Sequence, residues 1–233
     1  MIKMSAIAFI PARKNSKRLP GKNKKLLNGI PLFQYTVEAA LKSKCYQMVV
    51  LTTDDKKIVE IGKRIDSLTV LTRPDKYATD DVRAKDVILY HLDRIDKKFD
   101  YVSLLMPTSP FRDAADIRKS FEILQQEDGE SIASVVEYDF HPKVALRMME
   151  NRLCSYFDKE FRWVRESEFD KAYHLNGAIF TSKIKFLLKT RSFVQNGTIP
   201  YLMDTLKSLD IDEESDFKYA EFILREKLLW SKL

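Results

Sequence analysis

A chain of 233 residues with 45% hydrophobic content is long enough to bury one sizeable α/β core, and that composition excludes a disordered chain. Cys45 and Cys154 are too few and too widely spaced for a disulfide framework or a zinc site, and the N-terminal apolar run is too short for a signal h-region or a membrane anchor, so the expected compartment is the cytoplasm. Lys and Arg number 40 against 34 Asp and Glu, but eight cations precede residue 26 and no acid precedes Glu38; residues 26–233 carry 32 cations and 34 acids, so the basic excess is local to one end.

Ile7 to Pro11 reads as a buried first strand that empties into a loop with seven cations and no acid: Arg13, Lys14, Lys17, Arg18, Lys22, Lys24 and Lys25. Open parallel sheets bind ligands beyond the carboxyl ends of their strands, where this loop falls. It reads as a cradle for a polyphosphate, with Gly21 and Asn15 tolerating unusual dihedrals. The competing readings are a solvated basic loop and a nucleic-acid surface, but the latter is expected to interleave aromatics with its cations and this loop has none.

Asn28-Gly29 marks a turn and Pro31 a helix start, with apolar periodicity from Leu32 to about Ser43. Met48 to Thr52 is a strand, Thr53-Asp54-Asp55 its turn into a helix ending near Ile65, and Leu68 to Leu71 a shorter strand; successive βα units predict a parallel sheet with both faces covered. After Arg73-Pro74, residues 78–81 offer N-caps for a helix running to Leu92. Tyr101 to Met106 is the clearest central strand and leads into Pro107-Thr108-Ser109-Pro110-Phe111-Arg112, a stiffened loop with two hydroxyls and a guanidinium. A helix to Gln126 and a strand Ser131 to Glu137 follow. From Tyr138 to Tyr173 the rhythm stops and Met148, Met149, Tyr156, Phe157, Phe161, Trp163 and Phe169 accumulate, which reads as an inserted, β-rich arm at residues 138–173 packed on its own chain or on another subunit. Asn176 to Phe180 returns to the sheet, Lys183 to Thr190 is a short helix, Ile199 to Met203 a late strand, and a terminal helix runs from about Glu213 to Trp230.

Before that helix, Leu209-Asp210-Ile211-Asp212 alternates apolar and acidic residues, so an extended backbone puts both carboxylates on one side. Such a pair suits magnesium, which takes oxygen ligands and keeps waters and phosphate oxygens in its shell; an N-cap with a solvated acid is the plainer alternative. A cationic loop and an acidic pair together give both halves of a phosphoryl- or nucleotidyl-transfer site. Neither G-x-x-x-x-G-K-[ST] nor G-x-G-x-x-G is present, and His91, His141 and His174 have no metal spacing, although the last two bracket the insertion.

Ile10-Pro11-Ala12-Arg13-Lys14-Asn15-Ser16-Lys17-Arg18-Leu19-Pro20-Gly21-Lys22-Asn23 resembles the nucleotide-binding signature of the acylneuraminate cytidylyltransferases. The likeness continues in order through Thr52-Thr53-Asp54, Arg73-Pro74, Pro107 to Arg112, His141-Pro142-Lys143, Asn176-Gly177-Ala178-Ile179 and Asp210-Ile211-Asp212. It implies a single domain over residues 1–233 with a Rossmann-like nucleotidyltransferase fold, a mainly parallel sheet, and a homodimer made by the arm. It also implies CTP, an acidic nine-carbon sugar and Mg2+ as reactants and cofactor, with no nucleic acid and no membrane involved. By position, Ala12, Arg13, Asn15, Ser16, Lys17, Lys22, Asn23, Thr108 and Ser109 would bind the nucleotide, and Asp210 and Asp212 the metal. Arg13, Lys17, Lys22 and Asp212 would carry catalysis; Met106, Arg112, Lys143, His174 and Asn176 would face the sugar. Met106 stands where sialate members usually carry Gln, and His174 where they carry Arg. Exchanging an amide for a thioether and a guanidinium for an imidazole alters recognition of hydroxyl, acyl or carboxylate groups, which points to a relative of sialic acid such as a legionaminic-type diamino sugar. A cytidylyltransferase for the eight-carbon acid Kdo and a non-catalytic sugar-nucleotide-binding protein are the alternatives.

Overall fold

The computed structural model describes residues 5–79, 81–157 and 169–228. In chain order the strands and helices are β1 (Ala6–Pro11), β2 (Leu26–Leu27), β3 (Ile30–Pro31), α1 (Leu32–Ser43), β4 (Met48–Thr53), α2 (Lys56–Gly62), β5 (Leu68–Thr72), α3 (Ala84–Leu92), β6 (Tyr101–Leu104), α4 (Ala114–Gln126), β7 (Ser131–Glu137), β8 (Leu146–Met149), β9 (Arg152–Ser155), β10 (Tyr173–Lys183), α5 (Ile184–Thr190), β11 (Ile199–Leu202) and α6 (Glu214–Arg225). A seven-stranded sheet in the order β11-β7-β10-β6-β1-β4-β5 forms the centre. Its pairs are parallel except those of β10, which runs antiparallel to both β6 and β7.

The alternation of β1 assigns the two sheet faces. Ala6, Ala8 and Ile10 pack with Phe33 and Val37 of α1, Ile58 of α2 and Ile117, Phe121 and Leu124 of α4. Ile7 and Phe9 point the other way, onto Ile88 of α3 and Leu187 of α5. Burial on both faces is what a near-continuous apolar strand requires. A third cluster gathers Leu19, Leu27, Phe111, Ile211 and Phe217, one or more apolar anchors from the basic loop, the Pro107–Arg112 loop and the Asp210–Asp212 segment. Because β1, β4, β5, β6 and β11 share a direction, the loops that follow them leave one edge of the sheet, and the antiparallel β10 brings its start, Tyr173 to Asn176, to that same edge.

Several boundaries differ from the sequence reading. The helix after β4 stops at Gly62 rather than near Ile65, where the chain tightens into turns. α3 begins after Arg83, not at residues 78–81; Asp75–Tyr77 instead forms one 3-10 turn, and residue 80 lies outside the described residues. β6 ends at Leu104, with one further bond from the Leu105 N–H to the Phe9 carbonyl at 3.0 Å before the proline-stiffened loop begins. Between β7 and β10, β8 and β9 form a two-stranded ladder of their own, with all four residues of β8 exposed. Phe161, Trp163 and Trp230 lie outside the described residues.

Candidate active site at the carboxyl edge

The basic loop leaves β1 beneath Ala12, whose buried N–H donates to the Thr52 carbonyl at 2.9 Å. It closes on Gly21, left-handed at φ 69°, and one 3-10 turn over Lys22–Lys24. Gly supplies that dihedral without a Cβ penalty; Asn15 is not among the described residues of positive φ. Asn23 is buried and donates to the Arg13 carbonyl at 2.9 Å, which fixes the backbone at the loop's first cation.

The loop contains no acid, yet distant acids meet it. Lys22 Nζ, buried, donates to the Ile211 carbonyl at 2.6 Å and to Asp212 at 3.0 Å, and Arg18 reaches the other Asp212 oxygen at 2.6 Å. Lys24 pairs with Asp55 at 2.6 Å, Lys25 with Glu214 at 2.5 Å, and the Lys14 N–H donates to Asp54 at 2.7 Å. Burial alone would raise the Asp55 carboxyl, but Lys24 and the helix-capping N–H of Lys57 outweigh it and hold it below the ordinary range. Lys17, Asn15 and Ser16 lie on the outer part of the loop.

Asp210 is exposed and Asp212 half-buried on either side of the wholly buried Ile211, the burial alternation expected of an extended backbone. Asp210 is exposed as a residue, yet protein atoms crowd its carboxyl. Burial and then the neighbouring Asp212 push its pKa up, against a hydrogen bond from Thr108 and the charge of Lys22. Both Asp212 oxygens already meet cations, so a hard divalent cation held by this pair would replace the exposed Arg18 on one of them. Among the described residues no group of three or more His, Cys, Asp or Glu forms a complete metal cage. The donor set is therefore two carboxylates with the remaining positions left to water and phosphate oxygens, which fits magnesium. The Ile211 N–H donates to the Thr108 carbonyl at 2.8 Å, joining the acidic segment to the proline-stiffened loop.

That loop is held from beneath. Arg112 is 1% exposed; its Nη2 donates to Thr36 Oγ1 at 2.7 Å and to the Met106 and Ser109 carbonyls at 3.4 Å, and its Nε to Ala178 O at 3.3 Å. Burial lowers its pKa to about 10, which leaves it cationic at neutral pH. The structure thus places Arg112 in the interior rather than on an open surface, because its side chain folds back under its own loop. Asn176 is likewise buried, accepting from Ser134 Oγ at 2.5 Å and donating to Ser208 Oγ at 2.8 Å. Ser109 is buried with its hydroxyl unpaired, and Met106 is half-buried. His174 is exposed, its ring 4.6 Å from that of Tyr138; Lys143 lies 5.5 Å over the Phe169 ring, against which His141 stacks at 4.6 Å.

The structure therefore links Arg18, Lys22, Thr108, Asp210 and Asp212 in one chain of contacts, while Lys143 and His174 pack against the Phe169 and Tyr138 rings. Arg73 went unassigned by sequence. It is buried just beyond β5, its Nε has no partner, and burial, then Arg13, lowers its pKa against the pull of Asp54. A lone cation at the carboxyl end of a parallel strand is the signal that could have found it. A cavity of about 890 Å³ lined by Leu89, Phe99, Tyr101 and Leu188 opens at the start of β6, the opposite edge, away from these charges.

A mostly parallel α/β sheet with cationic loop and acidic pair converging at its carboxyl edge defines a nucleotidyltransferase-type enzyme. The sequence profile of the cytidylyltransferase family matches residues 7–231, and the chain belongs to that family. It is 34% identical to the CMP-N,N'-diacetyllegionaminic acid synthase of Legionella pneumophila, over 95% of this chain and 97% of the relative. It is also 34% identical to an N-acylneuraminate cytidylyltransferase of Escherichia coli O18:K1:H7, over 95% of this chain but 52% of that protein, so it spans about half the length of that relative. In structure it superposes on a CMP:2-keto-3-deoxy-manno-octonic acid synthetase complexed with CTP with a TM-score of 0.70 at 15% identity, covering 96% of this chain and 99% of that one, a likeness of fold. No helix among the described residues is long and apolar enough to cross a membrane.

Proposed function

We propose that the protein transfers CMP from CTP to a nine-carbon α-keto acid sugar of the sialic or legionaminic type and releases pyrophosphate, in the cytoplasm and as a homodimer. The observation that carries this reading is the contact of Lys22 and Arg18 with Asp212, which sets cations suited to a polyphosphate directly against carboxylates suited to a metal. The names of the relatives supply the nucleotide and the sugar class.

In this reading Arg13, Lys17 and Lys22 bind the triphosphate, and Asn23 and Arg73 shape the nucleoside end. Asp210 and Asp212 hold Mg2+, which when bound neutralises phosphate charge. The anomeric hydroxyl oxygen of the sugar bonds to the α-phosphorus as the bond to the β-phosphate oxygen breaks; pyrophosphate leaves with the electron pair, and the hydroxyl proton passes to solvent. Positioning and charge stabilisation supply the catalysis. Arg112 and Asn176 act by fixing the loops on the sugar side, while Met106, Lys143 and His174 contribute to choice of sugar.

The test is pyrophosphate release from CTP and Mg2+ with N-acetylneuraminate, legionaminate, pseudaminate or Kdo, each with a metal-free control. One nine-carbon sugar should be turned over, and Asp212→Ala should reduce its rate by about a hundredfold or more while the far-UV spectrum is unchanged. Turnover of Kdo alone, or no metal requirement, would overturn the reading.

A further inference from the structure

We infer that Lys207 is a positioning residue that sets the geometry of the Asp210 and Asp212 carboxylates and hence the metal affinity of the site, an inference that rests on the metal-binding role proposed above.

The acidic pair lies on a segment, residues 204–213, that forms neither strand nor helix and follows the bond from the Met203 N–H to the Val135 carbonyl at 2.9 Å. Something other than a ladder must hold it. Its far end is held by the cap of α6, where Asp216 accepts from the N–H groups of Asp212 at 2.8 Å and Glu213 at 2.9 Å. Its middle is held by the bond from Ile211 to Thr108. At its near end Lys207 Nζ donates to Asp113 Oδ2 at 2.6 Å and Asp116 Oδ2 at 3.0 Å. These acceptors are fixed: Asp113 caps α4 through the N–H groups of Ala115 and Asp116, and the buried Asp116 also accepts from Tyr201 OH at 3.0 Å.

Asp113 directly follows Arg112 and so continues the loop that carries Thr108. Lys207 therefore ties the acidic segment to the same loop that Ile211 grips, on the opposite side of Asp210. Without its charge, two neighbouring carboxylates at the start of α4 repel each other. The near end of the segment then keeps the bonds of Met203 to Val135 and of Ser208 to Asn176, neither of which ties it to the loop that carries Thr108. Magnesium tolerates little departure from octahedral geometry, so loss of this tether bears on the metal first. The triphosphate is held by Arg13, Lys17 and Lys22 of the basic loop, whose backbone is fixed by the Asn23–Arg13 bond and the turn at Gly21 rather than by Lys207. It bears less of the change even though Lys22 also touches Ile211 and Asp212.

The experiment measures Mn2+ binding to the full chain by electron paramagnetic resonance at saturating CTP, CTP binding by calorimetry, and the melting temperature, for the wild type, Lys207→Met, Lys207→Arg and Asp210→Asn. Lys207→Met should need about tenfold more Mn2+ or beyond, the range for residues that orient metal ligands, with CTP affinity changed by no more than about twofold and Lys207→Arg recovering most of the loss. Unchanged Mn2+ binding in Lys207→Met, or Mn2+ and CTP affinities falling together, would overturn the inference. Mn2+ binding that Asp210→Asn leaves intact would instead overturn the metal site itself. If Lys207→Met is unfolded at the assay temperature, Lys207→Gln, which keeps a donor but removes the charge, replaces it and should also need more Mn2+, with CTP affinity little changed; unchanged Mn2+ binding in that variant would overturn the inference.

Discussion

Lys22 and Arg18 meet the same carboxylate under different conditions. The Arg18 side chain is 67% exposed, so its pair with Asp212 is worth well under about 1 kcal/mol and can exchange for a phosphate; Lys22 is buried and fixed by the Ile211 carbonyl as well. The neighbouring histidine shows the opposite use of burial. His91 contacts Thr52 Oγ1 at 3.1 Å near the carboxyl end of β4, and burial, with Arg73 and Arg94, lowers its pKa to about 4. It is therefore neutral in the folded state where the unfolded chain protonates near 6.5, so the unfolded state binds more protons between those values and stability falls as pH drops through that window. After allowance for partial solvent screening the loss from pH 7 to pH 5 is about 1 kcal/mol. His91→Gln, which retains a hydrogen-bonding group and cannot titrate, should show a shallower fall in melting temperature over that range; an identical slope would remove His91 as the source. The cations of this site were legible because they are contiguous. Their neutralising acids were not, since Asp55 and Asp212 lie 31 and 190 residues from the lysines they meet, and only the strand order brings them together.

Among the elements, β10 carries His174 and Asn176 of the proposed sugar side, and its irregularity has a local cause. Its pairing with β7 shifts register between Leu175 and Phe180, around Gly177 at φ 79°. Side chains replace the missing ladder there: Asn176 Oδ1 accepts from the Ala178 N–H at 3.2 Å, and Ser134 Oγ from the Ile179 N–H at 2.8 Å. A Cβ at residue 177 would meet nothing closer than Ser109 Oγ at 3.8 Å, so Gly177→Ala acts through the backbone alone. It should cost about 1–2 kcal/mol, lowering the melting temperature by about 3–6 °C without loss of helix or strand signal. A variant that melts with the wild type would mean that the bulge relaxes freely. The βα units could be read from apolar runs because their strands are buried on both faces. The first residues of β10 could not: Tyr173, His174 and Leu175 are exposed and pair with β7 across the sequence-distant insertion, so no period marks them. Arg112 was visible as a residue but not as an interior one, because nothing local reveals that Thr36 and three carbonyls wait beneath its loop.

At the scale of the whole molecule, polar chemistry is concentrated at one sheet edge while apolar surface is concentrated on the β8–β9 hairpin. Met148 is 73% exposed, and Leu153, its direct cross-strand neighbour, 68%; Phe140, Tyr156 and Phe157 are exposed nearby in sequence. Contiguous apolar surface of this kind is uncommon on a monomer and matches the buried core of a subunit interface, which needs about 800 Å² from each partner. A second copy of the chain is the proposed occupant, consistent with an arm that the resemblance places in the dimer contact. Met148→Glu combined with Leu153→Lys puts two charges into that contact while leaving them attractive to each other across the hairpin, so the hairpin itself is spared. Light scattering behind a sizing column should give twice the chain mass for the wild type and once for the double variant at micromolar concentration, with the melting temperature of the central sheet little changed. Turnover should fall with dissociation if the arm completes the neighbouring site, and should recover as protein concentration is raised. A wild type that elutes as a monomer would overturn the dimer, whereas a double variant that stays at twice the chain mass would move the interface away from β8 and β9.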